Sequence, residues 1–89
     1  MKVSNMTSNK GNKIANQFII SDPHKGDYFQ SYESMIARIT PEGRIFLDTK
    51  YWDYSVTTSK YRNQFLNETK KETQAKINSG EYILADLNS

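Results

Sequence analysis

Through the first half of the chain, apolar and polar residues follow the period of two that marks strands with one buried face. A first strand is predicted from Ile14 to Ser21, carrying the apolar run Phe18-Ile19-Ile20. Asp22 to Asp27 reads as a loop by its Pro, Gly and Asp content. Tyr28 to Tyr32 then returns antiparallel to the first strand, with Tyr28, Gln30 and Tyr32 on one face and Phe29 and Ser31 on the other.

The clearest local signal lies between Ser34 and Asp48. Thr40-Pro41-Glu42-Gly43 has Pro at the second turn position and Gly at the fourth, which suits a type I turn closed by a left-handed Gly bulge. Pairing Thr40 with Arg44 sets Ile39 against Ile45 and Ala37 against Leu47 on an aliphatic face. The opposite face then sets Arg38 across from Phe46 and carries Ile36 and Arg44. A slip of one residue would exchange the two faces.

Beyond Asp48 the period changes. Tyr61 and Phe65 stand one helical turn apart with Leu66 beside them, and Thr57 or Thr58 is expected to cap that helix. Thr69-Lys70-Lys71-Glu72 is a capping-box pattern, so a second short helix is predicted, thinly apolar at Ala75 and Ile77 and ended by Asn78-Ser79-Gly80. Tyr82 to Leu87 reads as a final strand with Ile83, Ala85 and Leu87 alternating against Tyr82 and Leu84. Residues 1–12 are polar and rich in Asn, Ser and Lys, and are expected to form a flexible tail ahead of one domain spanning 13–88. The expected fold is α+β: an antiparallel meander of four to five strands packed against one or two short helices. Trp52, Tyr61 and Phe65 are expected to anchor the helix to Ile39, Leu47 and Ile83.

Composition narrows the function classes. With 89 residues the chain is one small domain, and no cysteine is present to form a disulfide, a thiolate metal site or a thiol nucleophile. No apolar run approaches the ~20 residues of a membrane span, and the expected location is the cytoplasm of a bacterial host. Aromatic residues make up 12% of the chain, so a core poor in aliphatics can still close by burying rings of ~150–250 Å² each. A net charge of +2 permits contact with an anionic surface without the heavy basic excess of a dedicated nucleic-acid protein.

Residues 51–65, YWDYSVTTSKYRNQF, hold five aromatics, four hydroxyl side chains and two cations. This block, with NQFII, YFQSYESMIA, the preceding LDTK and the later KETQAKINSGEY, resembles a family of small proteins of unknown function encoded by bacteriophages and other mobile elements. The pieces cover most of the chain from Lys13 to Asn88. The resemblance implies an accessory protein of a phage or plasmid and brings no catalytic residues with it.

The residues bear on three kinds of chemistry: catalysis, nucleic-acid binding and protein binding. Asp22, His24 and Asp27 share one loop, but a metal or acid–base site needs ligands held by rigid elements, and a lone His among turn residues is ordinarily solvated. No phosphate loop, dinucleotide turn or HExxH helix is present, so no catalytic residue, metal ligand or cofactor is assigned. Cations beside rings suit stacking on bases together with phosphate contact, which makes a nucleic-acid-binding module the alternative reading. The favoured reading is binding to a bacterial host protein or ribonucleoprotein effector, in the manner of an anti-CRISPR inhibitor, because Tyr, Trp and Arg concentrate interface energy. The residues assigned to the partner are Arg38, Arg44, Phe46, Lys50, Tyr54, Lys60 and Arg62. An open edge at the first or last strand leaves room for a homodimer.

Overall fold

The computed structural model describes every residue from Met1 to Ser89. Six strands form one sheet in the order of the chain: β1 (Lys2–Thr7), β2 (Lys13–Asp22), β3 (Gly26–Ser31), β4 (Ser34–Ile39), β5 (Ile45–Asp48) and β6 (Tyr82–Ala85). The first five make an antiparallel meander, and β6 runs parallel to β5. A parallel neighbour cannot be reached by a hairpin. The crossover is supplied by two helices, α1 (Val56–Leu66) and α2 (Lys70–Asn78). The architecture is therefore α+β, with both helices on one face of the sheet.

The hairpin follows its expected register. Ala37 pairs with Leu47, Arg38 with Phe46 and Ile39 with Ile45. Thr40 N–H donates to the Arg44 carbonyl at 2.8 Å, Gly43 N–H donates to the Thr40 carbonyl, and Gly43 has φ +89°. The turn between β2 and β3 demands glycine for a second reason. At Gly26 a Cβ would stand 2.0 Å from the Ile39 carbonyl oxygen, so only a bare backbone can pass β4 there.

Three expectations about the sheet are corrected. The segment 1–12 is not an unstructured tail, because β1 pairs with β2 and Met6, at 2% exposure, belongs to the core; the sheet thus has six strands rather than four to five. Ile36 was placed on the face opposite Ala37, yet both are buried. Phe29 pairs with Ala37 and Gln30 with Met35, so Ile36 is the extra residue of a bulge, and the bulge breaks strict alternation. Ile83 was assigned to the core, but it pairs with Phe46 on the other face, and Tyr82 fills the core position opposite Ile45.

The core cluster is Met6, Phe29, Ile36, Ala37, Leu47 and Tyr82, with Trp52, Tyr61, Phe65 and Ile77 packed half-buried against it. The rings of Phe29 and Phe65 stack at 5.8 Å, which fixes α1 to β3. Ser55, not Thr57 or Thr58, caps α1 by accepting from Thr58 N–H at 3.1 Å. Thr58 instead turns inward, where its hydroxyl meets that of Ser31 at 3.0 Å. The capping box of α2 forms as the sequence suggests, between Thr69 and Glu72.

Candidate functional site

The register places one row of side chains straight across the sheet on the face away from the helices. Ile20 pairs with Tyr28, Tyr28 with Arg38, Arg38 with Phe46 and Phe46 with Ile83. A second row beside it sets Phe18 against Gln30 and Gln30 against Met35. Because neighbours along a strand point to opposite faces, the burial of Phe29 and Ala37 beneath the helices is what leaves Tyr28 and Arg38 uncovered.

Arg38 is the centre of this face. Its guanidinium lies 5.6 Å from the Tyr28 ring and 6.0 Å from the Phe46 ring, and its Nε donates to the Lys25 carbonyl at 2.9 Å. Arg44 approaches Phe46 as well, at 5.5 Å. Rings and guanidinium groups thus alternate across three strands, each half-buried ring holding a cation in place by its quadrupole. Anchoring to a backbone carbonyl removes much of the rotamer freedom that Arg38 would otherwise lose on meeting a ligand.

The seven residues assigned to a partner are not brought together. Arg38, Arg44 and Phe46 share the open face. Lys50 and Tyr54 lie in the segment after β5; the Lys50 ammonium sits 5.3 Å from the Tyr51 ring, and Tyr54 is 67% exposed. Lys60 is exposed on α1 beside Tyr61.

Arg62 is the correction. It was expected to face outward, but its side chain is wholly buried. It donates to the Trp52 carbonyl, and its second nitrogen donates to the Asn63 side chain at 3.0 Å. Asp53 stands 3.8 Å away and also binds Lys70 at 2.9 Å. Burial lowers the Arg62 pKa from its ordinary value, opposed by the nearby Asp53 and Glu68 carboxylates. The residue spacing around Tyr61 placed Lys60 and Arg62 alike on a solvated flank. The helix instead turns Arg62 under Trp52, a packing that no helical period announces.

The seven assigned residues leave out Tyr28 and Ile83, although Tyr28, with Tyr32, Tyr51 and Tyr54, is among the tyrosines that the number of hydroxyls to satisfy places at the surface. Tyr28 could have been found by extending the predicted hairpin register one strand outward, since Tyr28 and Arg38 then fall opposite each other. Ile83 carried no such signal, because the parallel pairing of β6 depends on the whole helical crossover.

A deeper cluster ties α2 to β6. Glu68 accepts from the Tyr82 hydroxyl at 2.6 Å and the Lys76 ammonium at 2.8 Å. Burial pushes the Tyr82 phenol up to about 12, reinforced by the neighbouring carboxylate. Burial would raise Glu68, but its bonds to Lys76, Thr73 and Tyr82 outweigh that and lower its pKa. Every member has a partner, so the cluster fastens α2 to β6.

No group of three or more His, Cys, Asp or Glu is placed to hold a metal ion, and no helix is long and apolar enough to cross a membrane. Comparison with curated proteins and with solved structures finds no match. The chain belongs to a family of unknown function (DUF8033), whose family model matches residues 1–81.

Proposed function

We propose that this is a binding protein that works through the uncovered sheet face, as an accessory protein of a bacteriophage or other mobile element. On this reading it occludes a surface of a bacterial defence effector, protein or ribonucleoprotein, in the host cytoplasm. The observation that carries the proposal is the row Tyr28–Arg38–Phe46 with Arg44 beside it. Tyr, Phe and Arg are the residue types in which interface energy concentrates, and here they form one half-buried surface on a rigid sheet.

Direct nucleic-acid binding is the second reading, favoured by the same alternation of rings and guanidinium groups. A base stacked on Phe46 or Tyr28 would leave its phosphates within reach of Arg38 and Arg44.

One pair of variants tests both. Arg38→Glu/Arg44→Glu should retain the wild-type circular dichroism spectrum and lose protection of an infecting phage against the host defence system. Lys60→Glu, on α1, should retain protection. Undiminished protection by the double variant would overturn the assignment of this face. Binding to a single-stranded oligonucleotide that weakens steeply with salt would select the nucleic-acid reading; binding unchanged by salt would not be phosphate-driven.

A further inference from the structure

On the helix side, at the end of the sheet where β3 turns into β4, lies a cavity of about 600 Å³ whose walls carry Tyr32, Tyr51 and Tyr54 together with Glu33. Its size is that of a ligand site, and it shares no residue with the Arg38 face. The hydroxyls of Ser31 and Thr58, bonded to each other and buried, form its inner wall.

Two properties of this cavity point the same way. Tyr51 and Tyr54 meet edge to face at 5.4 Å, and Tyr32 and Tyr54 are 56% and 67% exposed, so large rings are presented to solvent rather than buried. No Lys, Arg or His lines the cavity, and the Glu33 carboxylate forms neither an ion pair nor a hydrogen bond within the chain. The backbone is also held in a disfavoured state there. Tyr32 has φ +55° and Asn16 has φ +63°, and the Tyr32 N–H donates to the Asn16 carbonyl at 2.7 Å. Asn tolerates the left-handed region, but an aromatic residue there is uncommon; the two-residue turn between the paired Ser31 and Ser34 calls for it and sets Tyr32 at the cavity's edge.

Tyrosine rings beside an unpaired carboxylate recognise a cation. The Lys50 ammonium, 5.3 Å from the Tyr51 ring, shows that the chain already uses one of these rings as a cation acceptor. Among cations, a guanidinium suits the cavity best: its plane stacks on a ring while its edge forks onto a carboxylate, which an ammonium cannot do.

We propose that the Tyr32–Tyr51–Tyr54 cavity takes the side chain of an arginine from a partner protein, with Glu33 as its counter-ion. This contact is separate from the Arg38 face, so a partner engaging both would be held at two points of opposite charge.

The test is NMR titration of the full chain with N-acetyl-arginine N-methylamide, and with the citrulline analogue as its neutral isostere. The arginine compound should shift the ring protons of Tyr32, Tyr51 and Tyr54 saturably, and the citrulline compound should bind about tenfold more weakly. Glu33→Gln and Tyr54→Ala, both at exposed positions, should each weaken arginine binding by about three- to tenfold while leaving the amide spectrum folded. Arg38→Glu/Arg44→Glu should leave it unchanged, so this proposal and the function assigned to the open face fail separately. Equal binding of citrulline, indifference to Glu33→Gln, or no saturable shift of the three rings would overturn the proposal.

Discussion

The Arg62 guanidinium lies 5.1 Å from the Trp52 ring, and the side chain that carries it has no exposure to solvent. This one pair joins α1 to the segment that follows β5. It does so with a charge under an indole, a donor on the Trp52 carbonyl and Asp53 at the edge. The Asp48 carboxylate fixes the same segment from below, accepting from the N–H groups of Lys50 and Tyr51 at 3.0 and 2.9 Å.

Replacing Arg62 by Ala should therefore cost about 3 kcal/mol or more, through the void it leaves and the Trp52 carbonyl it strands. Arg62→Met keeps most of the volume and should cost less, since a buried charge is often exchanged for an apolar chain at little loss. Urea unfolding followed by the fluorescence of the single tryptophan reads both. An Arg62→Ala midpoint equal to wild type would contradict the role assigned to this side chain.

The start of α1 makes a sharper distinction among neighbouring hydroxyls. Ser55→Ala should lose about 1 kcal/mol as a cap, while Thr57→Ala at an exposed position should stay within about 0.5 kcal/mol. Thr58→Val leaves the buried Ser31 hydroxyl without its partner and should cost about 1–3 kcal/mol. The order Thr58, Ser55, Thr57 in thermal melts is the expected result; Thr57 at the head of it would place the cap elsewhere.

Strand β1 is expected to contribute core energy. Met6→Ala should destabilise by about 2–5 kcal/mol, whereas Val3→Ala, at a position 57% exposed, should change little. Equal, small effects at both positions would mean that residues 2–7 do not belong to the folded unit.

The Glu68 cluster predicts how stability varies with pH. Glu68 has its folded pKa lowered from 4.5, so its contribution is present above that value and is lost as the solution is acidified through the folded pKa. Tyr82 is raised from 10.0 to about 12, so its contribution is complete below 10.0 and disappears as pH rises toward 12. Lys76 is raised too, by its bond to Glu68, and falls away on the same alkaline side. Unfolding free energy should thus be flat between about pH 5 and pH 9 and decline on both flanks. Tyr82→Phe should flatten the alkaline decline in part, leaving the share of Lys76. A decline as steep as that of wild type between about pH 10 and 12 would remove Tyr82 from the account.

Local rules carried the reading of this chain as far as local forces reach. The Thr40–Gly43 turn, the pairing of Arg38 with Phe46 and the capping box at Thr69 follow from residues a few positions apart, because turn geometry and register are set within a hairpin and a cap within one helical turn. The outward placement of Arg38, Arg44 and Phe46 was legible for the same reason. Tyr28 needed one further strand of register.

What the amino-acid order determined by itself was the α+β class, the central hairpin with its register, and the two helices. Tertiary structure alone decided that residues 2–7 pair as an edge strand, that bulging turns Ile36 inward, that β6 lies parallel with Tyr82 rather than Ile83 in the core, and that Arg62 is enclosed beneath Trp52. Each of these depends on contacts between distant segments. A polar strand forms once a neighbour satisfies its backbone, and an arginine can be buried once a carbonyl, an amide and a ring are assembled around it; no periodicity along the chain encodes that assembly.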